Sequence, residues 1–377
     1  MRILGIETSC DDTAASLIET DGKYMTILAE RTASQIEVHK MYGGVVPEVA
    51  GRKHAEQIIP VIDVVIKNHG KPDIIAVTAG PGLMTGLLVG TEIAKSLSYL
   101  WDIPVVPVNH IDGHIHTSML PEQVPEGTFD LRQIVFPALA LTVSGGHTEL
   151  VLMKSHTEFE KIGGTRDDAA GECFDKVGKL IGIDYPGGPK ISALAEQGRR
   201  DAITFPRPMI DSDNADMSFS GLKTAALYWL RDNDLADNTH RHCEERGTSD
   251  AAISDNEKDR HTSATATVRD DETSITKEDF CASLEAAIGD LLVSKTVKSV
   301  KQFEPKTVLL VGGVSANTYL RESLRQALPN TNLLIAPRKY GMDNATMIAL
   351  AGYFIYQNEG ATPWQEIQAD PQWRIWS

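Results

Sequence analysis

The sequence lacks any excess of positive charge: 36 lysines and arginines stand against 52 acids, a net charge of −16. Such a chain does not coat nucleic acid by charge alone, so any RNA it meets needs a local basic patch or a partner protein. It also lacks an apolar run near the ~20 residues that cross a bilayer. Met1-Arg2-Ile3-Leu4-Gly5 passes straight into a strand pattern with Glu7 close behind, so neither a signal peptide nor a membrane span is expected. Its four cysteines, Cys10, Cys173, Cys243 and Cys281, have no C-x-x-C spacing, which argues against a zinc knuckle and a disulfide frame. The expectation is a cytoplasmic protein of a reducing compartment. With 377 residues, 42% of them hydrophobic, it can build more than one ordinary core.

What is present is a pair of strand–turn–strand segments, one in each half. The first turn reads Gly5-Ile6-Glu7-Thr8-Ser9-Cys10-Asp11-Asp12-Thr13, and the second Thr142-Val143-Ser144-Gly145-Gly146-His147-Thr148. In both, small and hydroxylated residues fill a tight turn whose backbone N–H groups can face an anion. Strands are expected over 2–7, 14–19 and 25–34, a helix over 47–69, a buried strand over 73–78, a helix over 83–100 and a strand over 104–108. The second half repeats this order with strands at 138–143, 149–153 and 158–163. Helices follow near 167–181, 222–232 and 277–303, then a strand at 307–311, a helix at 317–327, a strand at 332–336 and a helix at 344–358. Two lobes of β-β-β-α-β-α, an RNase H-like core used twice, form the α/β architecture of actin, sugar kinases and Hsp70 chaperones, the two-lobed ASKHA fold. The lobes are expected over 1–130 and 131–377, with packing of the last helix back on the first lobe as an added option. One stretch breaks the pattern. Residues 234–276 hold 11 acids, 5 basic residues and 11 serines or threonines, with no aromatic residue, so a disordered or loosely helical insertion is expected there.

Several constellations carry chemistry. His110 and His114 stand four apart, a spacing that lets two imidazoles share a metal and equally suits a hydrogen-bonded pair at a helix start. The H-E-x-x-H hydrolase pattern needs a Glu after the first histidine, and Ile111 stands there. His116 is out of phase with both. A third ligand is expected to be a carboxylate from elsewhere; Asp343 qualifies, although its place before a helix also suits an N-cap. Such a set takes iron, zinc or manganese. Gly312-Gly313-Val314-Ser315-Ala316-Asn317 joins a buried strand to a helix, where glycines admit a nucleotide closely and Asn317 either binds ligand or caps the helix. Asp167 and Asp168 suit the dipole of the helix they open. Asp175, two turns on, is placed to accept bonds from a ribose or an amino group. Tyr185-Pro186-Gly187-Gly188-Pro189 reads as a rigid turn that a ligand can approach.

Together these segments closely resemble the TsaD family, tRNA N6-adenosine threonylcarbamoyltransferases once described as O-sialoglycoprotein endopeptidases. The matching stretches are GIETSCDDT (5–13), YGGVVPE (42–48), AGPGL (79–83), the 110–114 histidines, VSGGHTEL (143–150), DDAAGECFDKVGKL (167–180), YPGGP (185–189), SFSGLKT (218–224) and GGVSAN (312–317). The resemblance implies a metal on His110, His114 and Asp343, usually described as iron. It implies a threonylcarbamoyl-AMP site at Thr142, Val143, Ser144, Gly145, Gly146, Asp175, Gly188 and Asn317. The reaction it implies transfers the threonylcarbamoyl group to N6 of adenosine 37 in tRNAs reading codons that begin with A. Implied partners are a non-catalytic TsaB-like paralogue and a small TsaE-like ATPase, with no membrane. One departure stands at Gly341-Met342, where the family has Cys-Thr.

An acyl-adenylate is already activated, so alignment of the amine and stabilisation of the leaving phosphate suffice, and no Ser–His–Asp nucleophile is required. His147 and Asp11 are the candidates for removing the N6 proton. The alternative is a small-molecule carbamoyl- or phosphotransferase of the same fold.

Overall fold

The computed structural model describes residues 1–42, 44–233 and 275–376. The first half opens with β1 (Arg2–Glu7), β2 (Asp12–Thr20) and β3 (Tyr24–Ser34), then the short α1 (Ile36–Lys40) and the long α2 (Pro47–Ile66). β4 (Ile74–Gly80), α3 (Met84–Trp101), β5 (Val105–Asn109), α4 (His110–His116) and β6 (Thr128–Asp130) follow. The second half runs β7 (Ala138–Val143), β8 (Thr148–Met153), β9 (Phe159–Gly164), α5 (Ala170–Leu180), α6 (Gly188–Ala195) and α7 (Ser220–Asp232). It closes with α8 (Lys277–Phe303), β10 (Thr307–Val311), α9 (Thr318–Ala327), β11 (Asn332–Ile335) and α10 (Ala345–Glu359).

Each half contributes a sheet of the same plan. The first has the order β5-β4-β1-β2-β3-β6 and the second β11-β10-β7-β8-β9. In both, a three-stranded antiparallel meander is extended by parallel strands beside its first member: β4 pairs parallel to β1, and β10 parallel to β7. Parallel neighbours need crossover helices, which cover the faces, and this is why β1, β4, β7 and β10 read as nearly continuous apolar runs. The mixed α/β fold with its repeated sheet is the architecture expected from the order of elements.

Two helices bring the halves together. α4 contributes Ile111 and Ile115 to a core that also holds Val108 of the first sheet and Leu309 and Val311 of the second. α10 lies on the first sheet although the chain reaches it last. Gly5 of β1 leaves room for it, since a Cβ there would collide with the Ala345 carbonyl oxygen. Gly113, between the two histidines of α4, does the same on its side: a Cβ there would stand 2.8 Å from Ile348 Cδ1. Close packing of α4 on α10 sets the head of α10 over the histidines.

The structure departs from the expected elements in a few places. α1, α6 and β6 are additional, and α6 begins at Gly188 where a plain turn is expected. α5 starts at Ala170, so Asp167 and Asp168 precede it. Asp167 instead serves the start of α7, accepting from Phe219 N (2.8 Å), Ser218 Oγ (2.6 Å) and Ser220 Oγ (2.7 Å). The expected insertion lies outside the described residues except for its last two positions, and these are ordinary parts of the fold. Ile275 packs on the core of the second half, and Thr276 caps α8 through Asp279 N at 3.1 Å.

Candidate metal centre and substrate cleft

α4 springs directly from β5. Asn109 ends the strand and caps the helix, its Oδ1 accepting from Ile111 N at 2.9 Å. One turn apart on the same face, His110 and His114 stand edge to face with ring centroids 4.7 Å apart, both buried. Asp343, on the loop before α10, comes down on them. Its Oδ1 lies 3.4 Å from His110 Nε2 and 3.2 Å from His114 Nε2. Asn344, not Asp343, caps α10, accepting from Met347 N at 2.9 Å. The cap expected of Asp343 is therefore corrected: the next residue supplies it, and the carboxylate is left for the histidines.

This cluster fits a cation. One ligand atom from each of the three residues lies within 4.8 Å of the others. His114 is fully buried, and neither of its ring nitrogens makes a hydrogen bond, the approach of Asp343 being off the line a hydrogen bond needs. A buried polar atom left unpaired is costly unless something else engages its lone pair. The pull of Asp343 and Glu7 outweighs burial and raises His110 well above the ordinary histidine range, and His110 in turn holds Asp343 well below the carboxylate range despite its burial. Two acids around one imidazole favour positive charge, and a metal ion can stand where that proton does. Two imidazoles and a carboxylate suit iron, zinc or manganese.

Glu7 completes the arrangement and was not singled out in the sequence. It ends β1 fully buried, with Oε1 accepting from Ser9 N (2.5 Å) and Oε2 from Thr78 Oγ1 (2.6 Å). His110 Nδ1 lies 3.0 Å from Oε2 and 3.1 Å from Ser9 Oγ. Although burial pushes Glu7 up, His110 beside it brings the carboxyl below its usual range. An ionised Glu7 can only accept, so Nδ1 carries a proton, and it is the Nε2 proton, facing Asp343, that a metal ion would displace. The signal for Glu7 was an acid closing an otherwise apolar strand.

The cluster stands at the wall of a cleft of about 520 Å³ lined from both halves. Ser9, Cys10, Asp11 and Asp12 contribute from the first loop, and Ser144, Gly145, Gly146 and His147 from the second. Thr142 and Val143 do not reach it: both are fully buried in β7, behind the loop. Asp175 and Gly188 line the cleft, but Asp175 Oδ1 is already bonded to Gly187 N (2.7 Å) and Gly188 N (3.4 Å), so it holds that turn in place. Asn317 both lines the cleft and caps α9, accepting from Leu320 N at 2.8 Å while its amide donates to Ser192 Oγ and Glu285 Oε1. Met342, half-exposed, lies over the Gly313 turn and lines the same space. Burial pushes Asp11 up, with Asp343 adding to the effect; burial and the two ligand histidines push His147 down to about 4. His116 faces elsewhere, 2.8 Å from Asp112 Oδ1 and 3.2 Å from His156.

Residues 26–350 match the family model described as TsaD, tRNA N6-adenosine threonylcarbamoyltransferase. Proteins of that name are similar along nearly their whole length. The one from Bacillus subtilis (strain 168) is 43% identical over 95% of this chain and 91% of its own. The one from Thermomicrobium roseum is 41% identical over 95% and 92%. Among solved structures, full-length HypF in its phosphate- and nucleotide-bound form aligns with a TM-score of 0.54 at 13% identity, and T.kodakarensis HypF with 0.56 at 12%. These cover 96% of this chain, which spans about half of each HypF chain (47% and 49%), and at such identity they speak for the fold alone.

Proposed function

This chain belongs to the TsaD family and is a tRNA N6-adenosine threonylcarbamoyltransferase of the t6A modification, and from that premise we propose how its cleft performs the transfer. The donor is threonylcarbamoyl-AMP, seated between the two loops, and the acceptor is N6 of adenosine 37 in tRNAs reading codons that begin with A. His110, His114 and Asp343 hold one divalent ion, Fe(II) in preference to zinc or manganese. The two sheets are the hearts of two lobes, 1–130 and 131–377. A TsaB-like paralogue and a TsaE-like ATPase are the partners, and the cytoplasm is the compartment.

The ion, when bound, supplies Lewis-acid polarisation and a fixed anchor for the donor. The chain does the rest. Glu7 keeps the proton on His110 Nδ1 and so keeps the ligand lone pair aimed into the cradle. Gly145 and Gly146, at the exposed tip of the turn that Ser144 and His147 close, offer their backbone N–H groups to the adenylate, in the manner of anion-binding turns. Asp175 and Asn317 fix the turns that flank it through the bonds described above. N6 attacks the carbamoyl carbonyl carbon, AMP leaves with the bonding pair, and the N6 proton passes to a base. His147 and Asp11, both on the wall of the cleft, are the candidates to take it.

The observation that carries this reading is the convergence of two buried imidazoles and a partly buried carboxylate beside an open glycine loop contributed by the other half. The test is reconstitution with synthetic threonylcarbamoyl-AMP, unmodified tRNA and the partner proteins, followed by nucleoside mass spectrometry. Modified adenosine is expected, falling at least about tenfold in His114→Ala and in Asp343→Ala, as loss of a metal ligand requires. Undiminished product in both variants would take the metal out of the mechanism.

A further inference from the structure

A second cavity, of about 370 Å³, adjoins the cleft: His147 and Pro81 line both. Its volume falls within the roughly 300–1,000 Å³ of small-ligand sites. Glu149, Lys161, Trp373, Arg374 and Trp376 form much of the remaining wall. Three of these lie on segment 371–376, beyond the span matched by the family model.

That segment is docked. Asp370 N donates to Ala79 O at 2.7 Å, and Asn109 Nδ2 donates to Trp373 O at 3.1 Å. Gly80 permits the approach, since a Cβ there would collide with the Asp370 carbonyl oxygen. Ile375 packs against the core shared by the two sheets. The tryptophans are thus held half-buried at the cavity wall, with the Lys161 ammonium 4.5 Å from the Trp376 ring centre.

The polar groups are equally specific. Glu149, on β8, accepts Lys161 Nζ on Oε1 at 2.9 Å, whereas its Oε2 is buried without a hydrogen-bond partner. A buried carboxylate oxygen in that state lacks a donor. Arg374 is exposed and, among the described residues, makes no salt bridge within 4 Å, although its charge reaches Glu149. In a chain of net charge −16, this brings a guanidinium and an ammonium to one cavity mouth beside two indoles.

We propose that this second cavity seats the acceptor: an unstacked adenine of the RNA, its ring against Trp373 or Trp376, its exocyclic amine donating to the Glu149 carboxylate, and a flanking phosphate on Arg374. The assignment rests on the transfer reading above and adds the place of the second substrate. Donor and acceptor occupy adjoining cavities and meet at His147. Aromatic side chains supply stacking that any base accepts, and the amine–carboxylate bond supplies selection. Guanine and uracil would turn a carbonyl oxygen toward the same carboxylate and be repelled.

The test uses the full chain with its partners and measures KM for tRNA and for threonylcarbamoyl-AMP separately. Trp376→Ala and Arg374→Ala are expected to raise KM for tRNA about tenfold, the scale of one lost stacking or phosphate contact, with donor KM unchanged. Trp376→Phe should restore most of the loss, which separates lost stacking from a misfolded segment. A tRNA carrying purine riboside in place of the target adenosine, hence without the amine, should bind the wild type several-fold more weakly and bind Glu149→Gln no worse than the adenosine form does. Unchanged tRNA KM in both Trp376→Ala and Arg374→Ala, or a parallel rise in donor KM, would overturn the assignment while leaving the transfer reading intact. Absence of modified nucleoside with the wild type would sink both.

Discussion

The two loops that line the cleft put the same kinds of residue to different uses. In the first, Glu7 to Thr13, the polar groups are spent on the protein: Glu7 takes Ser9 N, Thr78 and His110, Thr8 Oγ1 donates to Gly86 O at 3.0 Å, and Thr13 Oγ1 lies 2.8 Å from His54. In the second, Ser144 closes a narrow turn on His147, and Gly145 and Gly146 stand exposed with nothing within 4 Å of where a Cβ would sit. One loop is a buried frame for the metal ligands; the other is an open cradle. The lesson is that small residues serve two purposes. They let polypeptide approach polypeptide in the first loop and leave room for a ligand in the second.

The largest effect should come from the frame. Glu7→Gln keeps the shape but removes the charge that fixes the His110 proton, and metal affinity should fall about 10- to 100-fold. Equilibrium titration of the metal-free protein with Zn(II) as a probe measures it; unaltered affinity would mean that Glu7 is only a packing residue.

A pair of alanine substitutions sharpens the contrast. Gly86→Ala drives a Cβ into the Thr8 carbonyl and should lower Tm by several degrees, in line with an overpacking cost of about 1–3 kcal/mol. Gly145→Ala meets open space, so Tm should stay within about a degree while donor KM rises a few-fold. If Gly145→Ala destabilised as much as Gly86→Ala, the second loop would be a frame as well.

The smallest effect is a difference of sign. Burial pushes Asp12 of the first loop up to about 7, and its Oδ1 has no partner. Its folded form therefore keeps a proton that the unfolded chain releases near pH 4, so its contribution is full below that and is lost as pH rises through about 7. His147 of the second loop is pushed down to about 4. There the unfolded chain takes up a proton first, near pH 6.5, and stability falls as pH drops from there to about 4. Urea denaturation of Asp12→Asn and His147→Asn between pH 4 and 7 should thus change the slope of stability with pH in opposite directions. Shifts of the same sign would remove this distinction between the loops.

Much of this was legible in the amino acids. The apolar runs gave β1, β7 and β10 their bounds, whereas Thr276, read with the insertion, proves to cap α8. The spacing of His110 and His114 put two imidazoles on one face. Less legible was the division of labour at neighbouring positions. Asp343 and Asn344 are equally good caps by residue type, and only the seating of α10 on α4 decides that the asparagine caps and the aspartate ligates. Thr142 and Val143 share a motif with Ser144, but the strand ends between them, so the first two face the core and the third faces the cleft.

Local pattern therefore determined the elements, their order, the repeat of one sheet plan in two halves and the residue types available for ligation, because hydrophobic period and capping chemistry act over a few residues. Tertiary structure alone decided that Glu7, 103 residues before His110, holds its proton, that Asp343 completes a cradle begun by α4, and that segment 371–376 walls a second cavity beside His147. These are contacts between distant parts of the chain, fixed by how closely α4, α10 and the sheet strands can approach, and glycines such as Gly5, Gly80 and Gly113 set that distance.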